Sequence, residues 1–270
     1  MHGTLYWLYS VGALIVAFVY SYLYLPVFHE LQLTSTYEYL ELRFSRNVRI
    51  MASVLCIINI LLYVPIVIYV PALALNQVMD VNLHHITPII TIVCVFYTML
   101  GGMKAVIWTD VLQGVVMLAS SLAVIIFGVS HVGGFNNIWQ RNIEGGRIRI
   151  FEMNPSPFER LTFWSAVTGH TFFILTVASN QPTVQKLLSI PTLSKARVAV
   201  YIFFFGMVLL VTVSCFTGLL LFAEYHNCDP LLTKEIAKPD QLLTHYVTTT
   251  ASYIPGLAGL FVAGVVSAAL

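Results

Sequence analysis

Seven stretches of the chain are almost wholly apolar, at approximately residues 5–28, 50–78, 86–101, 111–132, 162–182, 197–223 and 251–270. A bilayer core about 30 Å thick is crossed by roughly 20 apolar residues in helical form. The pattern therefore predicts seven transmembrane helices, spans A to G, joined by four short connections and two long loops at about 133–161 and 224–250. An odd number of crossings puts the two ends on opposite faces of the membrane.

The connections set the direction. Arg43, Arg46, Arg49, Lys104, Lys186, Lys195 and Arg197 fall in the links from A to B, C to D and E to F, whereas the link from B to C holds no Lys or Arg. Short loops rich in Lys and Arg stay in the cytoplasm. The basic residues of the two long loops weigh little, because long loops translocate with small regard to charge. The N-terminus is expected outside the cell, with span A running inward.

Composition agrees with this pattern. Apolar residues make up 58% of the 270 residues and charged ones 9%, against about half and about a quarter in a soluble domain. A formal charge of +1 supplies no basic surface for nucleic acid. Cys56, Cys94 and Cys215 lie in apolar runs and Cys228 in a polar loop, a spacing that suits neither a disulfide framework nor a metal site. The first apolar run has no basic start and is long enough to span, unlike a cleavable signal peptide. Span A begins almost at Met1 and span G runs to Leu270 without a polar flank, which reads as a fragment of a longer protein.

No Asp, Glu, Lys or Arg stands near the middle of any span, so a relay of buried carboxylates finds no candidates here. Paired acids, a His/Cys cluster or an activated nucleophile at one depth are also missing from the pattern, and an enzyme is not expected. What lies at depth is neutral, including Ser10, Asn59, Thr98, His170, Thr171, Ser179 and Thr212. Hydroxyl, amide and carbonyl oxygens are hard ligands suited to a small hard cation. Each such residue also has a packing explanation, since Ser and Thr bond a carbonyl one turn back or fill close helix contacts, and His170 reads as an interior histidine with its hydrogen bonds met.

Two places stand out. In span E, Ser179-Asn180-Gln181-Pro182 sets two amides beside a proline, which removes a backbone donor and can break the helix. Interrupted helices are how many secondary transporters bind ions and substrate. In span G, Gly259, Ala263, Gly264, Ser267, Ala268 and Ala269 form a small-residue surface that allows close helix approach. The C to D link contributes Tyr97, Thr98, Gly101, Gly102, Trp108, Thr109, Asp110 and Gln113. The glycines permit a tight turn, and Thr109 or Asp110 can cap the next helix, although a carboxylate at the mouth of a cation path would also capture or release ions.

Tyr97-Thr98 through Trp108-Thr109-Asp110 and Gln113 resembles the signature of the sodium:solute symporter family. Further runs are similar to the branch that holds the sodium/iodide symporter, the sodium-dependent multivitamin transporter and the sodium-coupled monocarboxylate transporters. They are Leu33 to Glu41, Arg43 to Arg46, Ile66 to Tyr69 with Pro71 to Leu73, Thr162 to Trp164, Asn180-Gln181 with Val184-Gln185, and Cys228 to Leu232 with Pro239 to Gln241. The resemblance covers essentially the whole chain.

It implies an all-α polytopic membrane protein with a partial LeuT-like inverted-repeat core. Residues 1–270 would form a single transmembrane transporter domain holding core helices two to eight, without the first core helix or the C-terminal part. The site residues it implies are Asp110, Gln113, Gln181 and the Ala268 carbonyl for sodium. Sugar-carrying relatives place polar side chains where this chain has Phe173, Thr176 and Met207. A sugar would then lack hydrogen-bond partners, at about 1 to 3 kcal/mol for each unmet group.

The expected substrate is a small organic anion, a monocarboxylate or vitamin-like carboxylate or else iodide, lined by Tyr9, Ala13, Tyr63, Phe173 and Thr176. The expected activity is sodium-coupled symport at the plasma membrane by alternating access, with sodium as coupling ion and no cofactor. The alternative is a truncated, transport-inactive product that associates with a full-length relative.

Overall fold

The computed structural model describes residues 3–31, 33, 35–79, 82–149, 152–154, 156, 158–159, 161–249 and 256–269. Among them every regular element is helical. A 3₁₀ turn, Gly3–Leu8, leads into α1, Tyr9–Val19. A π-helical turn, Tyr20–Tyr24, follows, and then α2, Leu25–Leu31. The widened turn lies just ahead of Pro26, which cannot donate to the carbonyl one turn back and whose ring would otherwise collide with it. After α3, Thr36–Arg43, come the long α4, Arg46–Met79, and α5, Leu83–Val132. The remaining helices are α6 (Phe135–Glu144), α7 (Phe163–Ala178), α8 (Gln181–Leu188), α9 (Leu193–Glu224), α10 (Leu242–Thr249) and α11 (Leu257–Ala269).

Five helical runs are long and apolar enough to cross a membrane: Gly3–Leu31, Arg46–Asn76, His84–Gly102, Lys104–Val132 and Leu193–Glu224. They correspond to spans A, B, C, D and F. Spans E and G are represented by shorter apolar helices, Phe163–Ala178 and Leu257–Ser267. Span E ends early because Asn180 takes an extended backbone, with φ −66° and ψ 148°. The first part of span G, 251–255, lies outside the described residues.

Spans C and D meet inside α5 at Gly102, whose φ of 58° and ψ of −161° belong to a region open essentially to glycine alone. The Tyr97 hydroxyl accepts from the Cys94 thiol at 3.5 Å and lies beside the Thr109 and Gln113 side chains. A straight helix would separate Tyr97 from Gln113 by about 24 Å at 1.5 Å per residue, so the chain reverses at the glycine. Thr109 and Asp110 lie inside the helix rather than at its cap. The Thr109 hydroxyl donates instead to the Val106 carbonyl at 2.9 Å, and the expected capping role is withdrawn.

The chain divides into two compact units, residues 1–59 with 146–215, and residues 60–145 with 216–270. In the first, α1 and α7 lie side by side. Gly12 permits this approach, since a Cβ there would stand 3.0 Å from the Thr171 hydroxyl and 3.1 Å from the Val167 carbonyl. Ala13, Val16, Ala17, Ile174, Ala178 and Phe204 bury the seam.

In the second unit α11 packs along α5, with Gly264 facing Ser120 and Met117. The two loops read as long connections contain helices α6 and α10, and both are anchored. Asn142 of α6, fully buried, donates to the Ile138 carbonyl at 2.7 Å and the Leu219 carbonyl at 2.9 Å. Arg141 donates to the Ala223 carbonyl at 2.8 Å. Ile138, Leu219, Leu220, Tyr246, Val247 and Phe261 close the core of this unit.

Candidate functional site

The α7–α8 junction is where backbone and side-chain chemistry converge in the first unit. Helix α7 opens with a reciprocal cap in which Thr162 and Ser165 exchange side-chain and backbone hydrogen bonds, the arrangement that fixes a helix start. It ends at Ala178, and Asn180 enters α8 with no side-chain cap. Pro182 stands in the first turn of α8, where its missing N–H costs nothing. The Asn180 N–H still donates to the Val177 carbonyl at 3.2 Å, and the Asn180 carbonyl starts α8 by accepting from Val184 at 3.1 Å.

Gln181 opens α8 and reaches a third helix. Its Oε1 accepts from the Thr36 N–H at 2.8 Å and from the Thr36 hydroxyl at 3.0 Å. One amide oxygen thus satisfies the first turn of α3, next to the cap that Ser35 supplies to Tyr37. The same helix is tied to α4 by an ion pair from Arg49 to Glu41 at 2.5 Å. Burial, with the Cys56 thiol hydrogen-bonded beside it, pushes the Tyr37 phenol up to about 12.

Upstream on α7, His170, Phe173 and Thr176 follow one another at three-residue spacing and so share a face. The Tyr9 ring stacks on His170, with centroids 4.4 Å apart and planes within 9°, and Phe173 lies 6.1 Å beyond. Tyr6 meets Tyr9 edge-on at 4.6 Å. The structure thus brings Tyr9 and Phe173 together around a residue that the sequence reading took for a hydrogen-bonded interior histidine. His170 Nε2 is buried and has no hydrogen-bond partner among the described residues. Its signal in the sequence was only an imidazole between Gly169 and Thr171.

The other proposed lining residues differ in character. Ala13 is buried in the α1–α7 seam, Phe173 is 63% exposed, and the Thr176 hydroxyl is spent on the Phe172 carbonyl at 3.0 Å. Tyr63, on α4 in the second unit, is largely exposed.

Of the sodium candidates, Gln181 belongs to the first unit and Asp110, Gln113 and Ala268 to the second. Asp110 and Gln113 stand one turn apart on the part of α5 that follows Gly102, Asp110 exposed and Gln113 half-buried beside Tyr97. Ala268 lies one turn beyond Gly264 on α11, and Gly264 packs closely against α5.

The sodium:solute symporter family model matches residues 1–270. The chain is 42% identical over 262 residues to sodium-coupled monocarboxylate transporter 2 of Mus musculus, an alignment covering 97% of this chain and 42% of that protein. It is 42% identical over 271 residues to sodium-coupled monocarboxylate transporter 1 of Homo sapiens, covering 97% and 44%. It is 40% identical over 273 residues to the sodium-dependent multivitamin transporter of Oryctolagus cuniculus, covering 99% and 42%. The chain therefore spans less than half the length of these relatives. Among solved structures, a substrate-bound, outward-open Na⁺-coupled sialic acid symporter superposes with a TM-score of 0.82 at 26% identity, over 97% of this chain and 55% of that one.

Proposed function

The chain belongs to the sodium:solute symporter family, and from that premise we propose that it is part of a sodium-coupled symporter for a small monocarboxylate. Its fold is all-α and LeuT-like, and it is a multi-pass membrane protein. The relatives it matches are transporters and not enzymes.

The observation that carries the reading is the interruption between α7 and α8, where Asn180 makes no side-chain cap and Gln181 turns its amide oxygen onto α3. Interrupted spans of this kind hold ions and substrates in secondary transporters. Asp110, Gln113, Gln181 and the Ala268 carbonyl are the proposed sodium ligands, and Tyr9, Ala13, Tyr63, Phe173 and Thr176 the proposed substrate lining. His170, its Nε2 buried and without a hydrogen-bond partner among the described residues, stacks under Tyr9 and beside Phe173, and this aromatic face suits the apolar body of a small carboxylate better than the hydroxyls of a sugar. Carboxylate is favoured over iodide because two of the relatives are named for monocarboxylates.

In this mechanism sodium binds first from outside, neutralises the anion's charge and orders the interrupted helix, and the transporter then opens inward. Residues 1–270 act as one transporter domain at the plasma membrane, with the N-terminal residue of this chain outside. The test is uptake of radiolabelled lactate, nicotinate, biotin and iodide by the full-length protein in sodium and in choline medium. Sodium-dependent uptake of at least one carboxylate is expected, and equal uptake in the two media for all four would refute the reading.

A further inference from the structure

The link from α3 to α4 reads Arg43-Phe44-Ser45-Arg46, with Arg49 one turn further on. Phe44 leaves helical geometry, at φ −120° and ψ −85°. Ser45 stands just before α4, its carbonyl accepting from the Arg49 N–H at 3.3 Å. Residues 42–48 are all exposed. A serine in an exposed turn with guanidinium groups on both sides has the charge pattern that arginine-directed kinases select, since carboxylates in the kinase cleft pair with such groups. Ser194, also exposed, has Lys195 and Arg197 after it, but its nearest preceding basic residue is Lys186. The transport cycle makes no use of Ser45.

The same turn helps to hold α3, which has no fully buried residue. Its ties include the Arg49–Glu41 ion pair at 2.5 Å, the edge-on contact of Tyr39 with Phe28 at 6.2 Å, and the two hydrogen bonds from Thr36 to Gln181. Glu41 lies four residues before Ser45 and Arg49 four after it. A phosphoserine carries a charge of about −1.5 to −2 and three acceptor oxygens, more than the Glu41 carboxylate offers. At the start of α4 the helix dipole favours it. It would compete for Arg49 and repel Glu41.

We propose that Ser45 is the acceptor of a cytoplasmic arginine-directed serine kinase, and that its phosphate draws Arg49 from Glu41 and loosens α3, the helix whose Thr36 occupies Gln181. In the transfer the serine oxygen bonds the γ-phosphorus of ATP, the bond from that phosphorus to the bridging oxygen breaks, ADP leaves, and the hydroxyl proton passes to the base of the kinase. The site rests on the cytoplasmic placement of this link, and its effect on sodium rests on Gln181 as a ligand.

Full-length protein in nanodiscs is incubated with ATP and, separately, with the catalytic domains of protein kinase C, the cyclic-GMP-dependent kinase and the acid-directed casein kinase 2, and phosphopeptides are mapped by mass spectrometry. Phosphate on Ser45 is expected from at least one of the first two and not from the third. Arg43→Gln with Arg46→Gln should lower its rate roughly tenfold or more. Labelling only at Ser194 or elsewhere, labelling by casein kinase 2 alone, or a rate indifferent to both substitutions overturns the proposal. If the double variant does not fold, the mapping on unaltered protein still decides. Added to cells, the active kinase should modify Ser45 after permeabilisation and not before. Modification in intact cells would place the link outside and overturn it.

Amide exchange over Thr36 to Arg43 should quicken roughly threefold or more on phosphorylation, with no further change in Glu41→Gln, which already lacks the ion pair. Unchanged exchange in the unaltered protein, or full quickening in Glu41→Gln, overturns the switch. Neither readout depends on transport. The sodium concentration for half-maximal uptake should fall roughly threefold in the phosphorylated protein. An unchanged value beside quickened exchange removes Gln181 from the sodium site and leaves the kinase site standing, and uptake by unmodified protein in sodium and choline media reports on the transport reading alone.

Discussion

At the scale of the residue, Gln181 has two claims on one atom. Its Oε1 accepts two hydrogen bonds from Thr36, and the same oxygen is a proposed sodium ligand. A carbonyl oxygen has two lone pairs, so full engagement by Thr36 competes with a cation. Thr36→Val removes the hydroxyl donor and keeps the backbone one. With Gln181→Ala it forms a double-mutant cycle whose coupling on thermal stability should be about 0.5 to 1.5 kcal/mol, the usual net worth of a neutral hydrogen bond. If Oε1 also serves sodium, Thr36→Val should leave uptake or raise its sodium affinity, whereas Gln181→Ala should weaken that affinity. Asn142 makes a simpler case. Its amide donates to two carbonyls from a fully buried position, and Asn142→Asp would set a carboxyl against them. A loss of about 1 to 3 kcal/mol is expected, read as a lower melting temperature of the solubilised protein.

At the scale of the element, the break between α7 and α8 was legible because Pro182 cannot donate a backbone hydrogen bond and Ser179-Asn180 favours turns over helix interior. Replacing Ser179, Asn180 and Pro182 together by alanine should extend α7 toward α8, since the proline alone costs a helix interior about 3 kcal/mol and alanine favours helix by up to about 0.7 kcal/mol at each of the other two positions. Sodium-driven uptake should then fall by roughly tenfold or more while surface expression is kept, and unchanged uptake would remove the break from the mechanism. The reversal at Gly101-Gly102 was legible for a related reason, since a glycine pair opens backbone regions closed to other residues. The caps at Thr109 and Asp110 were misread because the helix resumes sooner than a capping residue would require. Helices α3, α6 and α10 escaped notice because they are short, mixed in polarity and set in connections. Thr36 as the partner of Gln181 had no local signal at all, being 145 positions away.

At the scale of the molecule, the sequence conveyed the membrane class, the approximate spans and the family, since long apolar runs and a dense set of short motifs carry that information locally. It did not convey where the apolar surface is covered. Ala13 proved buried between helices while Leu61, Leu62, Met99 and Leu100 stay largely exposed, and no periodicity in runs so uniformly apolar marks that difference. If transport is electrogenic, each net positive charge moved inward through 100 mV contributes about 2.3 kcal/mol. That corresponds to roughly a 50-fold greater accumulation. Collapsing the membrane potential with a potassium ionophore in medium of matched potassium should therefore lower steady-state accumulation of the labelled carboxylate by about that factor per net charge, and no change would indicate an electroneutral cycle.

The glycine reversal in α5 bears on how the protein is made. Only Met103 separates the stretches His84–Gly102 and Lys104–Val132, so a ribosome delivers both with scarcely a spacer between them. A connection this short ties the placement of one stretch in the membrane to that of the other. Insertion of the pair as one hairpin is the expected outcome, read by whether a glycosylation acceptor placed at the tip is modified only once both arms have been synthesised.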